Sequence, residues 1–394
     1  FQAVGDGLKL VFKEIVKPKG ADSFVFSLAP IIAGVAAFSS WAVIPLGGQV
    51  SMFGHQTNLQ ITDVPVAVLF ILAISSIGVY GIVLAGWSSA GSYSMLGSLR
   101  SSASMISYEV AMSLTLVSVF MFSGTMSTSG IVEAQATPIM FGDASLGVPG
   151  HYWLMLLPSF LIYVITMFGE SNRLPFDMPE CESELVSGYS TEYSGFPYGM
   201  YYLAEYINMA TLSAVCVTLF LGGYRAPWPF NHIGVIDSGW WGLLWFFIKV
   251  QLVIFFFVWV RAAIPRFRYD HYMQMGWKAL IPIALVWLVI VAALRSIGAQ
   301  GASYNPLFMV FAGIGVAALI AWAFGGDADE PEKQPVSEEF DAFAGGYPVP
   351  PLPGQKLVTA NAIVSGETVS APGGENVPPA EATSNVPETP KGDN

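Results

Sequence analysis

Between Glu170 and Glu192 the sequence sets six carboxylates (Glu170, Asp177, Glu180, Glu182, Glu184, Glu192) against one base, Arg173. Two carboxylates about 6 Å apart, at an effective dielectric of about 20, repel by roughly 3 kcal/mol, about 2 pKa units. A dry cluster of this size cannot stay fully ionised, so some members must share protons. A nearby reaction that takes up protons or creates negative charge would reset that sharing. The chemistry such a loop can do is therefore the coupling of a reaction to proton movement. A static ion-pair network has the same composition, and an ordinary solvated loop is the plainest alternative. Two features weigh against the solvated loop. Lys and Arg normally crowd loops beside apolar spans, and this loop inverts the habit. It also carries Leu174, Pro175, Phe176 and Pro179, which a purely solvated loop does not need.

Charged residues inside apolar runs extend the pattern. Each costs roughly 2.5–3.5 kcal/mol to insert into hydrocarbon, which makes it a functional candidate by default. Glu109 follows Tyr108, Glu170 closes one run, Glu205 lies two turns into the next with Asn208 at i+3, and Lys249 lies mid-run. Each has a plainer reading. Glu109 and Glu205 can reach an interface or pair with arginines, and Lys249 can snorkel or act as a packing lock. Asp63, before Val64-Pro65, reads most simply as an exposed helix start. Arg261, Arg266 and Arg268 around Pro265 read equally as a topology signal or as an ordered loop.

These residues need a membrane bundle to position them. Of 394 residues, 54% are hydrophobic and 11% charged, with a mean hydropathy of +0.56. Soluble domains sit near 25% charged, so the class is an all-α polytopic membrane protein. The formal charge of −12 sits mainly at one end: residues 325–394 hold twelve acids and three lysines. The two cysteines, Cys181 and Cys216, are far apart. Zinc or an iron–sulfur cluster needs four ligands, so no metal site is expected in this chain. No phosphate-binding glycine loop is present, and no nucleic-acid partner is implied. The chain begins at Phe1 without a signal peptide and is expected to continue upstream.

Along the chain, residues 1–20 carry Val4, Leu8, Val11 and Ile15 at helical spacing, with Asp6, Lys9 and Lys13 on another face. This predicts an interfacial amphipathic helix ended by Pro18-Lys19-Gly20. About eight spans follow, near 24–44, 64–86, 105–123, 152–169, 199–221, 241–260, 277–297 and 304–324. They place ten Lys/Arg on the side of residues 1–20 and two, Arg225 and Arg295, on the other. The N-terminal segment, the acidic loop at 170–198 and the tail are thus expected to face the cytoplasm. The tail at 325–394, rich in Pro, Gly, Ala, Glu and Thr, predicts disorder. A short docking segment over 340–349 is the alternative.

The stretch E-S-N-R-x-P-F-D-x-x-E-x-E-S-E-L-V-S-G, continuing to T-E-Y-S-G and L-A-E-Y, resembles the quinone-chamber membrane subunit, the H subunit, of NADH:quinone oxidoreductase (respiratory complex I). GWSSAGSYSMLGSLRSSASMISYEV at 86–110, WVRAAIPRFRYD at 259–270 and ADSFVFSLAP at 21–30 extend the likeness over nearly all of 1–297.

The resemblance implies a multi-pass subunit of a bacterial inner membrane complex, with no redox centre of its own. Flavin and iron–sulfur clusters would lie in partner subunits of the hydrophilic arm, and antiporter-like membrane subunits would be further partners. Quinone would be the substrate. Asp6, Lys9, Lys13 and Glu14 would line its tunnel, and Arg173, Phe176, Asp177, Glu180, Glu182 and Glu184 would shape the inner chamber. Glu109, Glu170, Glu192 with the adjoining Tyr193, and Glu205 would match the family's proton path. Arg261, Arg266, Arg268 and Asp270 would match the loop at the arm interface, and Lys249 a lysine within the sixth span. The family's first membrane helix and Arg-rich arm are absent here, the eighth span and tail occur in only some members, and some members carry a basic residue near Phe196-Pro197. An equivalent subunit of a membrane-bound hydrogenase or ferredoxin-linked complex is the alternative within the superfamily. A stand-alone secondary transporter would show internal repeats, and none is visible.

Overall fold

The computed structural model describes residues 2–52, 54–136, 138–141, 144–178, 185–228, 230 and 239–299, with isolated positions at 313, 315–316, 339–340 and 356–357. The elements that position the acids are helices laid back and forth across one bundle. In chain order they are α1 (Gln2–Phe12), α2 (Ser23–Ser39), α3 (Ala67–Ser88), α4 (Ser92–Ser123), α5 (Thr128–Ala134), α6 (Tyr152–Met155) and α7 (Leu157–Glu170). After the acidic loop come α8 (Gly195–Phe220), α9 (Trp240–Ala263), α10 (Tyr269–Gln274) and α11 (Ile281–Ala299). A π-helical turn, Met275–Leu280, joins the last two.

Among the described residues six helical segments are long and apolar enough to cross a membrane, and α7 is a shorter apolar helix. These account for seven of the eight expected spans. The eighth lies outside the described residues except at Gly313, Gly315 and Val316, where Gly313 faces Pro158 and Trp287. The tail forms a separate unit, Asp327–Asn394. Only the parallel pairing of Glu339–Phe340 with Lys356–Leu357 is described in it, so the expected disorder and the docking segment at 340–349 otherwise lie outside the described residues.

Local chemistry explains most boundaries. Asp22 caps α2, its carboxylate accepting from the amides of Phe24 (3.0 Å) and Val25 (3.3 Å), the usual answer to orphan donors at a helix start. At the other end of α4, Gly124 takes φ +76° and returns its N–H to the Phe120 carbonyl at 2.8 Å. The expected amphipathic helix stops at Phe12 rather than near Lys19. Beyond it the chain is held in non-helical form: the Val16 amide donates to Ser194 Oγ (2.9 Å), which donates to the Glu14 carbonyl (3.3 Å).

The largest difference from the sequence reading is α4. It begins at Ser92, not near 105, because the serine-rich stretch before Met105 is helical and packed. Its hydroxyls bond their own helix, as Ser98 to Met95, Ser102 to Leu99 and Ser104 to Ser101, so small polar side chains are buried at little cost. At roughly 1.5 Å per residue α4 is about 48 Å long, more than a 30 Å hydrocarbon layer. Two antiparallel hairpins, Gly47–Met52 with His55–Leu59 and Pro138–Phe141 with Ala144–Pro149, occupy loops read as plain connections.

The acidic loop returns onto α4 at Gly97. A Cβ there would sit 2.7 Å from Gly188 Cα and 3.0 Å from its carbonyl carbon, both backbone atoms of the turn Gly188–Ser190. Gly97→Ala should therefore push that turn off the helix and cost about 1–3 kcal/mol. A lower thermal midpoint of the purified protein is the expected reading. Gly5→Ala, with nothing within 4 Å, should leave it unmoved.

Candidate functional site

The acidic end is a layered arrangement between α2, α3, α4, α7 and α8. Glu170, the last residue of α7, is 1% exposed. Neither carboxylate oxygen has a hydrogen-bond partner among the described residues. Below the loop, Arg173 meets Glu205 of α8 at 3.5 Å and lies over the Tyr206 ring at 4.3 Å. The Tyr189 hydroxyl donates to Glu205 at 2.9 Å. Asn208, one turn further along α8, reaches the Glu170 carbonyl at 3.5 Å.

Between these groups lies a cavity of about 60 Å³. Glu170, Asn172, Tyr189, Glu205 and Asn208 line one side, and Ala33, Ala36, Ser75 and Gly78 the other. At about 30 Å³ per water in the liquid it has room for about two. Its wall is continuous with the third acid. Glu109 accepts from Ser76 Oγ, and Ser75, in the cavity wall, stands 3.5 Å from the same oxygen. Glu170 and Glu205, from two helices, thus line one cavity, and Glu109, from a third, is linked to its wall through Ser75. An unpartnered buried carboxylate is expensive, so Glu170 needs a proton, water or a donor from that space. Sequence reasoning does not single out Tyr189, Ser75 or Ser76. For the serines the available signal is a Ser-Ser pair within a hydrocarbon run.

Chain comparisons bear on what this arrangement belongs to. Residues 1–292 match the family model described as NADH dehydrogenase. Over 371 residues the chain is 72% identical to the NADH-quinone oxidoreductase H subunit of Cutibacterium acnes, covering 94% of this chain and 84% of that one. Over 369 residues it is 49% identical to the protein of the same name from Streptomyces avermitilis, covering 90% and 78%. The chain belongs to the H subunit family of NADH-quinone oxidoreductase.

The other residues that the sequence of this H subunit family member singles out fall at several separate places. Glu192 and Tyr193 sit where the loop enters α8. A Cβ on Gly91 would be 3.5 Å from Glu192 Oε1, which puts this acid by the α3–α4 turn. There a recess of about 440 Å³ opens beside Trp87 and Met95. Tyr193 is stacked on Phe26 at 4.0 Å, donates to the Phe26 carbonyl at 3.1 Å, and its phenol is raised above its usual range by burial. That geometry is a staple between the loop and α2. Phe176 packs against Tyr108, Phe267 and Tyr272, and Arg266 donates to the Asp177 carbonyl, so this arginine is drawn into the loop. Arg261 is exposed, and Arg268 pairs with exposed Asp270 at 3.2 Å. Asp6, Lys9 and Lys13 are exposed along α1 and just beyond it. Glu180, Glu182 and Glu184 lie outside the described residues. Asp63 accepts from Ser127 and Ser129 at 2.8 and 2.6 Å, which ties two loops together at the far end.

Lys249 is placed apart from the acids. At the far end of α8, Gly222 takes φ +75° and Gly223 N–H reaches back to the Val217 carbonyl at 2.9 Å, a left-handed cap. The carbonyls of Leu221, Gly223 and Arg225 then converge on Lys249 Nζ at 2.6, 3.0 and 2.7 Å. Buried backbone carbonyls that leave a helix must find donors inside the protein, and Lys249 supplies them. Gln135 bonds the neighbouring groups, the carbonyls of Thr218 and Leu219 and the amide of Gly222. Lys249→Met should leave buried carbonyls unpaired and cost about 3 kcal/mol or more, read as poor recovery of assembled protein.

His151 lies against Gly222. Burial, then the Lys249 charge, lowers its pKa from 6.5 to about 4. The folded value is below the unfolded one, so stability should be complete above about pH 6.5 and fall as pH drops toward about 4. His151→Gln should flatten the fall of the thermal midpoint across that window.

Proposed function

We propose that this membrane subunit of NADH-quinone oxidoreductase forms the chamber in which quinone is reduced, at the end of the bundle where residues 13–20, the α3–α4 turn and the acidic loop meet. Its buried acids then carry the consequence of that reduction into the membrane. Electrons come from an iron–sulfur cluster in a hydrophilic-arm partner, and the same arm carries the flavin-bearing module. Quinone takes them up with protons, and the loop acids nearest the chamber change their charge and protonation. The change passes through Glu205 and Glu170 to Glu109, and from there to antiporter-like partner subunits. In this reading the acidic loop and tail face the cytoplasm of a bacterial inner membrane. The lysine and arginine bias toward that side supports the orientation.

The observation that carries the reading is the polar cavity shared by Glu170 and Glu205, with Ser75 and Ser76 leading from its wall to Glu109. It is roomy enough for water, lined on the α2–α3 side largely by small residues, and Glu205 in its wall pairs with Arg173. Proton transfer needs such hydrogen-bonded neighbours at short range, and a purely structural acid cluster would have its oxygens already paired. Both relatives carry quinone in their names, which favours quinone over a ferredoxin-linked or hydrogenase reading.

Glu205→Gln and Glu192→Gln should each lower NADH:quinone reductase activity of isolated membranes at least several-fold. NADH oxidation by an artificial acceptor, which bypasses the chamber, should stay near the wild-type rate. Quinone reduction at full rate in both variants would count against the assignment.

A further inference from the structure

The turn Gly188–Ser190 makes two contacts at once. Its backbone lies on α4: a Cβ on Gly97 would meet Gly188 Cα at 2.7 Å and the Tyr189 amide nitrogen at 3.1 Å. Its Tyr189 side chain runs into the bundle, 2% exposed, and the hydroxyl donates to Glu205 at 2.9 Å. The ring stands edge-on to Tyr201 at 5.2 Å, and the Tyr201 hydroxyl reaches the Gly81 carbonyl of α3 at 3.3 Å. A phenol held in this way has little freedom to follow Glu205 if the turn shifts. The seat of the turn on α4 therefore decides whether that hydrogen bond exists.

The turn is stiff in itself. The Ser187 and Ser190 hydroxyls lie 2.8 Å apart, and the Thr191 hydroxyl donates to the Gly188 carbonyl at 2.7 Å. It is built to move as a unit rather than to deform. Strain sits at its approach, where Val186 has φ +65°, a left-handed conformation that β-branched residues resist. Such backbone persists only where the surroundings over-determine it. The seat on Gly97 and the bond to Glu205 are part of those surroundings. Glu205 also has Arg173 at 3.5 Å, a longer ionic contact that fixes direction less tightly than a hydrogen bond.

We propose that Tyr189 is a positioning residue for Glu205, and that it ties the carboxylate to the seat of the acidic loop on α4. A displacement of the turn withdraws the hydroxyl and leaves the carboxylate to Arg173 and the cavity. Loss of the acceptor in turn loosens the turn, because coupling between two sites is reciprocal. That this matters for quinone reduction rests on the reading of Glu205 as a proton carrier given above. The coupling itself does not.

The test uses the intact complex. Amide hydrogen exchange over a peptide spanning 185–194 reads the seat. Tyr189→Phe keeps the ring and removes the hydroxyl. It should raise exchange there by roughly 2- to 10-fold, the worth of one hydrogen bond. Glu205→Ala should do the same, and the double variant should go no further. Glu205→Gln retains an acceptor and should keep most of the protection. Quinone reductase activity reads the consequence. Tyr189→Phe should lower kcat by roughly 2- to 10-fold with KM for quinone unchanged, and should lower it no further in a Glu205→Gln background. A residue that only shapes the loop would cost the same in both backgrounds. Unchanged exchange in Tyr189→Phe, or additive effects with Glu205→Ala, overturns the proposal. Raised exchange with quinone reduction at full rate in Tyr189→Phe supports the tie to Glu205 and counts instead against the proton path through that acid.

Discussion

A polar group placed in hydrocarbon has to be answered from inside the protein, and the two ends of this bundle answer in opposite ways. At the far end Lys249 donates to three backbone carbonyls, and Gln135 pairs with the groups beside them. At the acidic end the answer is partial. Glu205 is met by Arg173 and Tyr189, and Glu109 by serines, but the Glu170 oxygens face a cavity. A saturated network holds a helix end in place. An unsaturated one beside a space of about 60 Å³ leaves a group whose state depends on what enters.

That space exists because of side-chain size. α2 contributes Ala33, Ala36 and Ala37 to its wall, Ser40 follows them, and α3 contributes Ser75 and Gly78. Small residues let membrane helices approach closely, and here they leave room for the cavity beside Ile82, Met105 and Tyr201. The same economy runs along α4, where serines pack against the returning loop and bond their own helix. Larger apolar residues take over below, where Val68, Ile71, Leu116 and Leu212 surround a much smaller gap of about 20 Å³. The polar space therefore narrows sharply toward the far end, while Glu109 lies to its side between α3 and α4.

Much of this is legible in the sequence because it depends on residue type in series. Twenty apolar residues in a row can hardly be anything but a span, and six acids around one arginine stand out against them. Glu109 and Glu205 are visible as charges in hydrocarbon. Other features give weaker signals. The start of α4 is misplaced from sequence because serine lowers hydropathy without preventing a helix. The two hairpins lie inside long loops between spans, where strands of four to six residues give little alternation to read, although Gly142-Asp143 between the second pair is a turn signal. Lys249 shows only as an ionisable group in a span, which does not distinguish a proton carrier from a clamp on carbonyls. Arg261, Arg266 and Arg268 look alike, and one of the three, Arg266, turns into the loop to meet Asp177.

The sequence by itself determined the class, the span order and the family, since hydrophobicity and a long motif are properties of the chain read in one dimension. Only the tertiary structure decided which acids come together, with Glu170 and Glu205 on one cavity and Glu109 reached through Ser75 of its wall. Glu109, Glu170 and Glu205 sit on three different helices, and their grouping depends on how α4, α7 and α8 cross. It was likewise the fold that assigned the donors of Lys249 to Leu221, Gly223 and Arg225. The physical reason is that hydrogen bonding and Coulomb interaction act over a few ångströms in space, whereas a sequence records distance only along the chain.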